Sequence, residues 1–264
     1  MQMAKYISIL EARGQGLPGS DTLRDELQAM YFNDKNRSRS VYDIYRESYK
    51  SFTDSRMISK WREVIEEAKS IQEFIDAGFN IVEQEPPPNP HFNYILKHWN
   101  LENLKIASGF ELALKASLLQ EGIVVNIIDG KDINYKKIHK EQKFRPILIS
   151  ELKIISDYVY DPKGCYLPGL TENSLNFSTI TKESLYQKAL GISDLEIEVI
   201  EEFRTLRNRI HLTKGSLFET RVRATLNEHI ASFVAKFIND KVVIKANKAG
   251  NDSGLSEIFF LKEL

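Results

Sequence analysis

The stretch HFNYILKHWNLENLKIASGFELALKASLLQEG, residues 91–122, is rich in the straight-chain and small residues that favour helix, and it ends on Gly122. Leu104, Ala107, Phe110, Leu114 and Leu118 recur within it at intervals of three and four, the spacing that gathers apolar side chains on one helix face. One or two strongly helical segments with a single buried face are expected here, in a chain that is mainly α. Immediately upstream, EQEPPPNP at 83–90 blocks helix continuation with consecutive prolines and reads as a linker.

Helical periods dominate on both sides of this segment. DTLRDELQAMYF (21–32), YDIYRESYKSF (42–52) and SRMISKWREVIEEAKSIQEFIDAG (55–78) are expected helices, with NDKNRSRS (33–40) as a polar break between the first two. Downstream, the apolar run IVVNII (123–128) is followed by a basic stretch, KKIHKEQKFR (136–145), read as a solvated loop. A helix is expected in RPILISELKIISDYV (145–159), and DPKGCYLPGLTENS (161–174) has the composition of a loop. Ser193 and Glu196 form a capping-box pair that opens a helix expected over 194–214, and ETRVRATLNEHIASFVAKFIND (219–240) is a further amphipathic helix. The tail from Lys241 has two short β-prone runs around a Gly/Asn/Asp turn and is expected to fold as a hairpin. The resulting division is an N-terminal helical region (1–85), a helical domain (86–240) and a C-terminal tail (241–264).

At 264 residues the chain can bury a sizeable core. Its 36 basic and 37 acidic side chains leave a net charge of -1, so any site for a polyanion must be local. A single cysteine, Cys165, excludes an intramolecular disulfide, and no Cys/His cluster has zinc-site spacing. No metal and no cofactor are expected. The N-terminus is too polar for a secretory signal and no run approaches the roughly eighteen apolar residues of a membrane span, so a cytoplasmic protein is expected.

The chemistry concentrates in EEFRTLRNRIHL, 201–212. With Arg204 at zero on a helical wheel, Arg207 falls near 300°, Asn208 near 40° and His211 near 340°, within an arc of about 100°. Val199, Phe203, Leu206 and Ile210 occupy about 200–260° and form the expected core stripe, whereas Arg209 points elsewhere, near 140°. Histidine is suited to moving a proton near neutral pH, and guanidinium groups grip phosphate oxygens and stabilise charge developing on them. Together with an orienting amide they suit phosphodiester chemistry without a metal. The alternative is that the arginines simply pair with Glu201 or Glu198 on the same helix.

L-R-N-R-I-H-L after an acidic helix start resembles the signature of HEPN domains, an Arg separated from a His by four to six residues, often with a polar residue beside the Arg. Arg204 has six residues before His211; Arg207-Asn208 supplies the Arg-Asn pair but with three before His211, and both arginines remain candidates. GFELALKASLLQEG (109–122) is similar to the early helix of such domains, although a plain amphipathic helix with a Glu111–Lys115 pair reads equally well. The resemblance spans about 92–238. It implies a helical bundle that dimerises and brings two Arg/His motifs into one composite cleft, and a metal-independent ribonuclease of a toxin-antitoxin or antiphage system. It equally covers inactive modules that bind RNA, nucleotide or protein, and an antitoxin or defence-system partner. His211, Arg204, Arg207 and Asn208 would be catalytic; Arg209, Lys115, Lys136, Lys137 and Lys140 would contact RNA.

Overall fold

A computed structural model describes residues 30–31, 33–56, 90–130, 133–155, 170–208 and 228–255. The protein is mainly helical there, with a small antiparallel sheet. In chain order the elements are α1 (Asp34–Thr53), α2 (Pro90–Gln120), β1 (Asn126–Ile128), α3 (Ile133–Glu141), α4 (Ile149–Ile155), β2 (Leu170–Ser174), α5 (Phe177–Lys182), α6 (Ser184–Leu190), α7 (Asp194–Asn208) and α8 (Glu228–Phe237). A π-helical turn, Ile238–Val243, then runs into α9 (Ile244–Ser253). Two compact units interleave along the sequence: Met1–Asp43, Leu114–Gly191 and Asn247–Phe259 form one, and Ile44–Ala113, Ile192–Ala246 and Phe260–Leu264 the other.

α2 is helical throughout and buried well beyond the expected single face. Ala107, Phe110, Leu114 and Leu118 are buried as the spacing predicts, Leu104 is only half-buried, and Ile106, Ala113, Ala116 and Leu119 are buried as well. A helix apolar on most sides is a core helix rather than a surface one. Pro90 stands at its first position, where the missing N–H has no helical partner to lose. Its end is a Schellman turn: Gly122 takes φ +72°, its N–H donates to Leu119 O (3.0 Å), and Ile123 N–H donates to Leu118 O (2.9 Å).

In the second unit, α1 and α2 approach closely at Gly109. A Cβ there would lie 2.8 Å from the Phe52 ring, and Ser48 Oγ donates to the Gly109 carbonyl at 2.7 Å. Phe110 meets Phe52, Phe203, Phe233 and Phe237 at centroid distances of 5.1, 5.6, 6.2 and 4.9 Å. This aromatic cluster joins side chains of α1, α2, α7 and α8 in one core.

The first unit is organised around β1. Its register with β2 pairs Asn126 with Ser174 and Ile128 with Leu170, and Ile123 makes an isolated bridge with Leu148. The buried Tyr31 hydroxyl donates to Asn126 Oδ1 (2.6 Å) and accepts from the N–H groups of Val125 (3.1 Å) and Asn126 (3.0 Å), while its burial pushes the phenol well above its ordinary pKa. Gln142 works as a surrogate strand: its Nε2 donates to Asn126 O (2.7 Å) and its Oε1 accepts from Ile128 N–H (2.9 Å). Tyr186 Oη in turn donates to the Gln142 carbonyl at 2.7 Å. Buried backbone groups at a short strand are thereby satisfied by side chains from distant segments.

Several expectations are corrected. The polar stretch NDKNRSRS is non-helical at Asn33, which caps α1 by accepting from Asn36 N–H through Oδ1 at 3.1 Å, but residues 34–40 form the first turns of α1 rather than a break. LTENS, expected as loop, is β2, because β1 supplies its pairing partner. The basic stretch from Lys136 begins inside α3 rather than in a loop, and RPILISELKIISDYV becomes helical only from Ile149. The hairpin expected in the tail is absent from 241–253, which is π-helix and α-helix. There Val242, Val243, Ala246, Ala249 and Ser253 are all buried, a helical period that outweighs the β preference of the valines. Expected helices at 21–29 and 57–78, the linker at 83–89 and the tail from 256 lie outside the described residues.

The capping box at α7 is present: Ser193 N–H and Oγ donate to Glu196 Oε2 at 2.8 and 2.9 Å, and Glu196 N–H approaches Ser193 Oγ at 3.4 Å. Ser193→Ala removes the acceptor for Glu196 N–H and should lower stability by about 1 kcal/mol, read as a lower denaturant midpoint at unchanged slope.

Arg145 ties α3 to α4 through Glu141 and Glu151, reaching Glu151 Oε2 at 2.8 Å and Oε1 at 3.1 Å. That hydrogen bond, more than the Leu148 N–H bond or simple attraction, holds the Glu151 carboxyl below its ordinary value against the opposing effect of burial. A carboxyl lowered on folding stabilises above its unfolded pKa, and that stability is lost as pH falls through the folded value. Glu151→Gln should therefore flatten the acid limb of a melting-temperature profile, and an unchanged limb would show that the pair contributes nothing to acid stability.

Candidate functional site

α7 carries Arg204, Arg207 and Asn208, and its capping box fixes the start of the helix that presents them. Ile200, Phe203 and Leu206 are its buried residues. Ile200 replaces the expected Val199, which is half-buried. On the wheel the buried arc therefore runs from about 200° at Leu206 to about 320° at Ile200. Arg207, near 300°, lies inside that arc, and Arg204 at its edge. A guanidinium in such a position loses water and needs a partner.

Both arginines have one. Arg204 grips Glu201 with two bonds, Nε to Oε1 at 2.6 Å and Nη2 to Oε2 at 2.8 Å, and its side chain is 13% exposed. The Glu201 hydrogen bonds hold the guanidinium still further above its already high pKa. Arg207 donates through Nη1 to Glu111 Oε2 of α2 and keeps 35% of its side chain exposed. Asn208 is exposed at the last described residue of the helix. Arg209 and His211, with the rest of the helix expected to 214, lie outside the described residues.

The Arg204–Glu201 pair is the one the sequence offered as a plain alternative. Glu111 of α2, by contrast, meets Arg207, ninety-six residues downstream, and Lys115 Nζ donates to Ser174 Oγ at 2.8 Å. Glu202 was also missed. Burial first, then the Glu198 carboxylate, pushes its carboxyl above the ordinary value. Two glutamates at i and i+4 were the available signal.

Lys115, Lys136, Lys137 and Lys140 belong to the other compact unit. Lys136, Lys137 and Lys140 are exposed on α3, and Lys137 pairs with Glu141 at 3.7 Å. His139, counted among the basic residues of this stretch, is turned inward and sets Nδ1 against the Ile128 carbonyl. Among the described residues no group of three or more His, Cys, Asp or Glu is arranged to hold a metal ion, and no helix is long and apolar enough to cross a membrane.

The chemical capacity of the α7 face is anion recognition: two guanidinium groups one turn apart, an exposed amide after them, and carboxylates that orient the guanidinium planes. No protein-family model, no curated protein and no solved structure matches this chain.

Proposed function

We propose that this protein is a metal-independent endoribonuclease of the HEPN type, acting in the cytoplasm as a toxin or antiphage effector. The observation that carries the reading is the Arg207–Glu111 ion pair. It joins α2 and α7, the two segments on which the resemblance rests, and it orients a guanidinium on the helix whose sequence continues to His211. In this reading His211 takes the proton from a ribose 2'-OH as it attacks the adjacent phosphate, or donates one to the leaving 5'-oxygen. Arg207 and Arg204 stabilise the charge on the pentacoordinate phosphorus, and Asn208 orients the phosphate. Lys115, Lys136, Lys137, Lys140 and Arg209 contact the RNA backbone. A homodimer bringing two such faces into one cleft would supply both an acid and a base from one motif per chain.

The test is incubation of the purified protein with RNA in EDTA, followed by analysis of the new ends. Products with a 2',3'-cyclic phosphate and a 5'-OH are expected, and DNA of the same sequence should remain intact because it lacks the attacking hydroxyl. Cleavage that requires a divalent metal, or that also cuts DNA, would overturn the reading.

A second reading has its own support. Arg204 is engaged by both oxygens of Glu201 and little exposed, as in a structural ion pair. That favours an inactive HEPN-like module binding RNA, nucleotide or a protein such as an antitoxin. RNA binding by a wild-type chain that never cuts would select it.

A further inference from the structure

α3 has two faces of opposite character. Tyr135 and Gln142 are buried, and His139 turns inward to the Ile128 carbonyl. Lys136 and Lys140, four residues apart on the opposite face, are exposed. Beyond Glu141 the chain keeps winding as a tighter turn, with Lys143 N–H directed to Lys140 O (3.4 Å) and Phe144 N–H to Glu141 O (2.9 Å). A three-residue turn stacks side chains i and i+3, so Lys143 extends the row begun by Lys136 and Lys140. Successive members stand about 6 Å apart along the axis. Among the described residues none of these three lysines makes an ion pair; the neighbouring charges are already committed, Lys137 to Glu141 and Arg145 to Glu141 and Glu151.

Phe144 follows this row directly and is 63% exposed. The residues on either side of it are held by side-chain bonds: Arg145, the next residue, meets two carboxylates, and Gln142, two residues earlier, is bonded to β1. An exposed phenylalanine beside an uncompensated cationic row, in a chain whose net charge is -1, fits one chemistry best: phosphates along the lysines and a base on the ring. A membrane surface would need a larger apolar area than one ring provides.

We infer that Lys136, Lys140, Lys143 and Phe144 form a binding track for single-stranded RNA, with the lysines on successive phosphates and Phe144 stacked on an unpaired base. The track rests on RNA being the ligand in the reading above, but not on cleavage. Because stacking demands an unpaired base, it selects single-stranded segments over duplex.

The experiment measures anisotropy of fluorescein-labelled 2'-O-methyl oligouridylate on the full chain, which removes the attacking hydroxyl and so separates binding from cutting. Oligothymidylate, a duplex of matched charge, and phosphatidylcholine vesicles containing phosphatidylserine form the parallel arms. Phe144→Leu should weaken single-strand binding about fivefold or more, whereas Phe144→Tyr, which keeps the ring, should stay within about twofold of wild type. Substituting Lys136, Lys140 and Lys143 together by glutamine should flatten the log-affinity against log-salt slope by about 2. Equal binding of oligothymidylate supports a track for single strands of either sugar and removes the preference for RNA. Wild-type binding with no loss in Phe144→Leu, or equal affinity for duplex, overturns the track alone. No oligonucleotide binding by wild type, or Phe144-dependent binding confined to the vesicles, overturns both the track and the choice of RNA as ligand.

Discussion

His211→Ala is expected to slow RNA cleavage in EDTA by about 10²–10⁴-fold, the contribution of a positioned proton-transfer group. The same protein should keep its wild-type unfolding midpoint and its affinity for an uncleavable oligonucleotide, which separates lost chemistry from lost fold or lost binding. Cleavage at the wild-type rate would remove His211 from the site. If two protomers share one cleft and its acid and base are the two His211 side chains, mixing His211→Ala chains with wild-type chains should lower activity below the wild-type fraction, because mixed dimers keep only one of the two proton-transfer groups.

The two arginines should respond unequally. Arg207 is the more exposed and its described hydrogen bond uses Nη1, so its guanidinium retains donors for a phosphate. Arg207→Ala should therefore cost cleavage about 10²–10³-fold, comparable to losing one donor to a developing oxyanion. Arg204 is clamped by both oxygens of Glu201 and has fewer donors left for a phosphate, so Arg204→Ala should cost activity less. Glu111→Gln keeps a hydrogen-bond acceptor for Arg207 but removes the charge. It should change the pH dependence of cleavage less than it changes the rate if Glu111 positions the arginine rather than titrating during turnover.

How far the sequence revealed this arrangement depended on the range of each interaction. The α7 capping box, the Gly122 stop and the Phe110 stripe are local, set by residues within a few positions of each other, and all are present in the structure. The Arg204–Glu201 pair is equally local. β2 was hidden because LTENS has no strand pattern of its own; it is a strand because β1 lies opposite, and β1 is held by Tyr31 and Gln142 from elsewhere in the chain. The Glu111–Arg207 contact was hidden for the same reason: Lys115 was in view one turn away, Arg207 was not. In the tail the signal was local but ambiguous. Lys-Val-Val-Ile-Lys has strand composition, yet the buried positions that follow recur with helical period, and burial of that face decides the conformation.

Phe110→Ala should cost about 3–5 kcal/mol of stability, because the ring is fully buried and the space it leaves is bounded by four other rings. Its edge contacts with Phe52 and Phe237 have directional character that an aliphatic side chain cannot replace, so Phe110→Leu should recover only part of the loss. Leu195→Ala, at a position 69% exposed on α7, should stay within about 0.5 kcal/mol of wild type and serves as the control. Denaturant unfolding with slopes compared across the three variants is the measurement. The effect should extend to the candidate site. Phe110 precedes Glu111 on α2 and packs on Phe203, one turn before Arg207 on α7, so the same ring that fills the core sets the separation across which Glu111 meets Arg207. Under conditions where Phe110→Leu remains folded, its cleavage should fall in parallel with Glu111→Gln, and combining the two should cost less than the sum of their separate effects, since both act through the placement of one guanidinium. Full additivity would mean that the aromatic core and the ion pair act independently, and would confine Phe110 to a purely structural role.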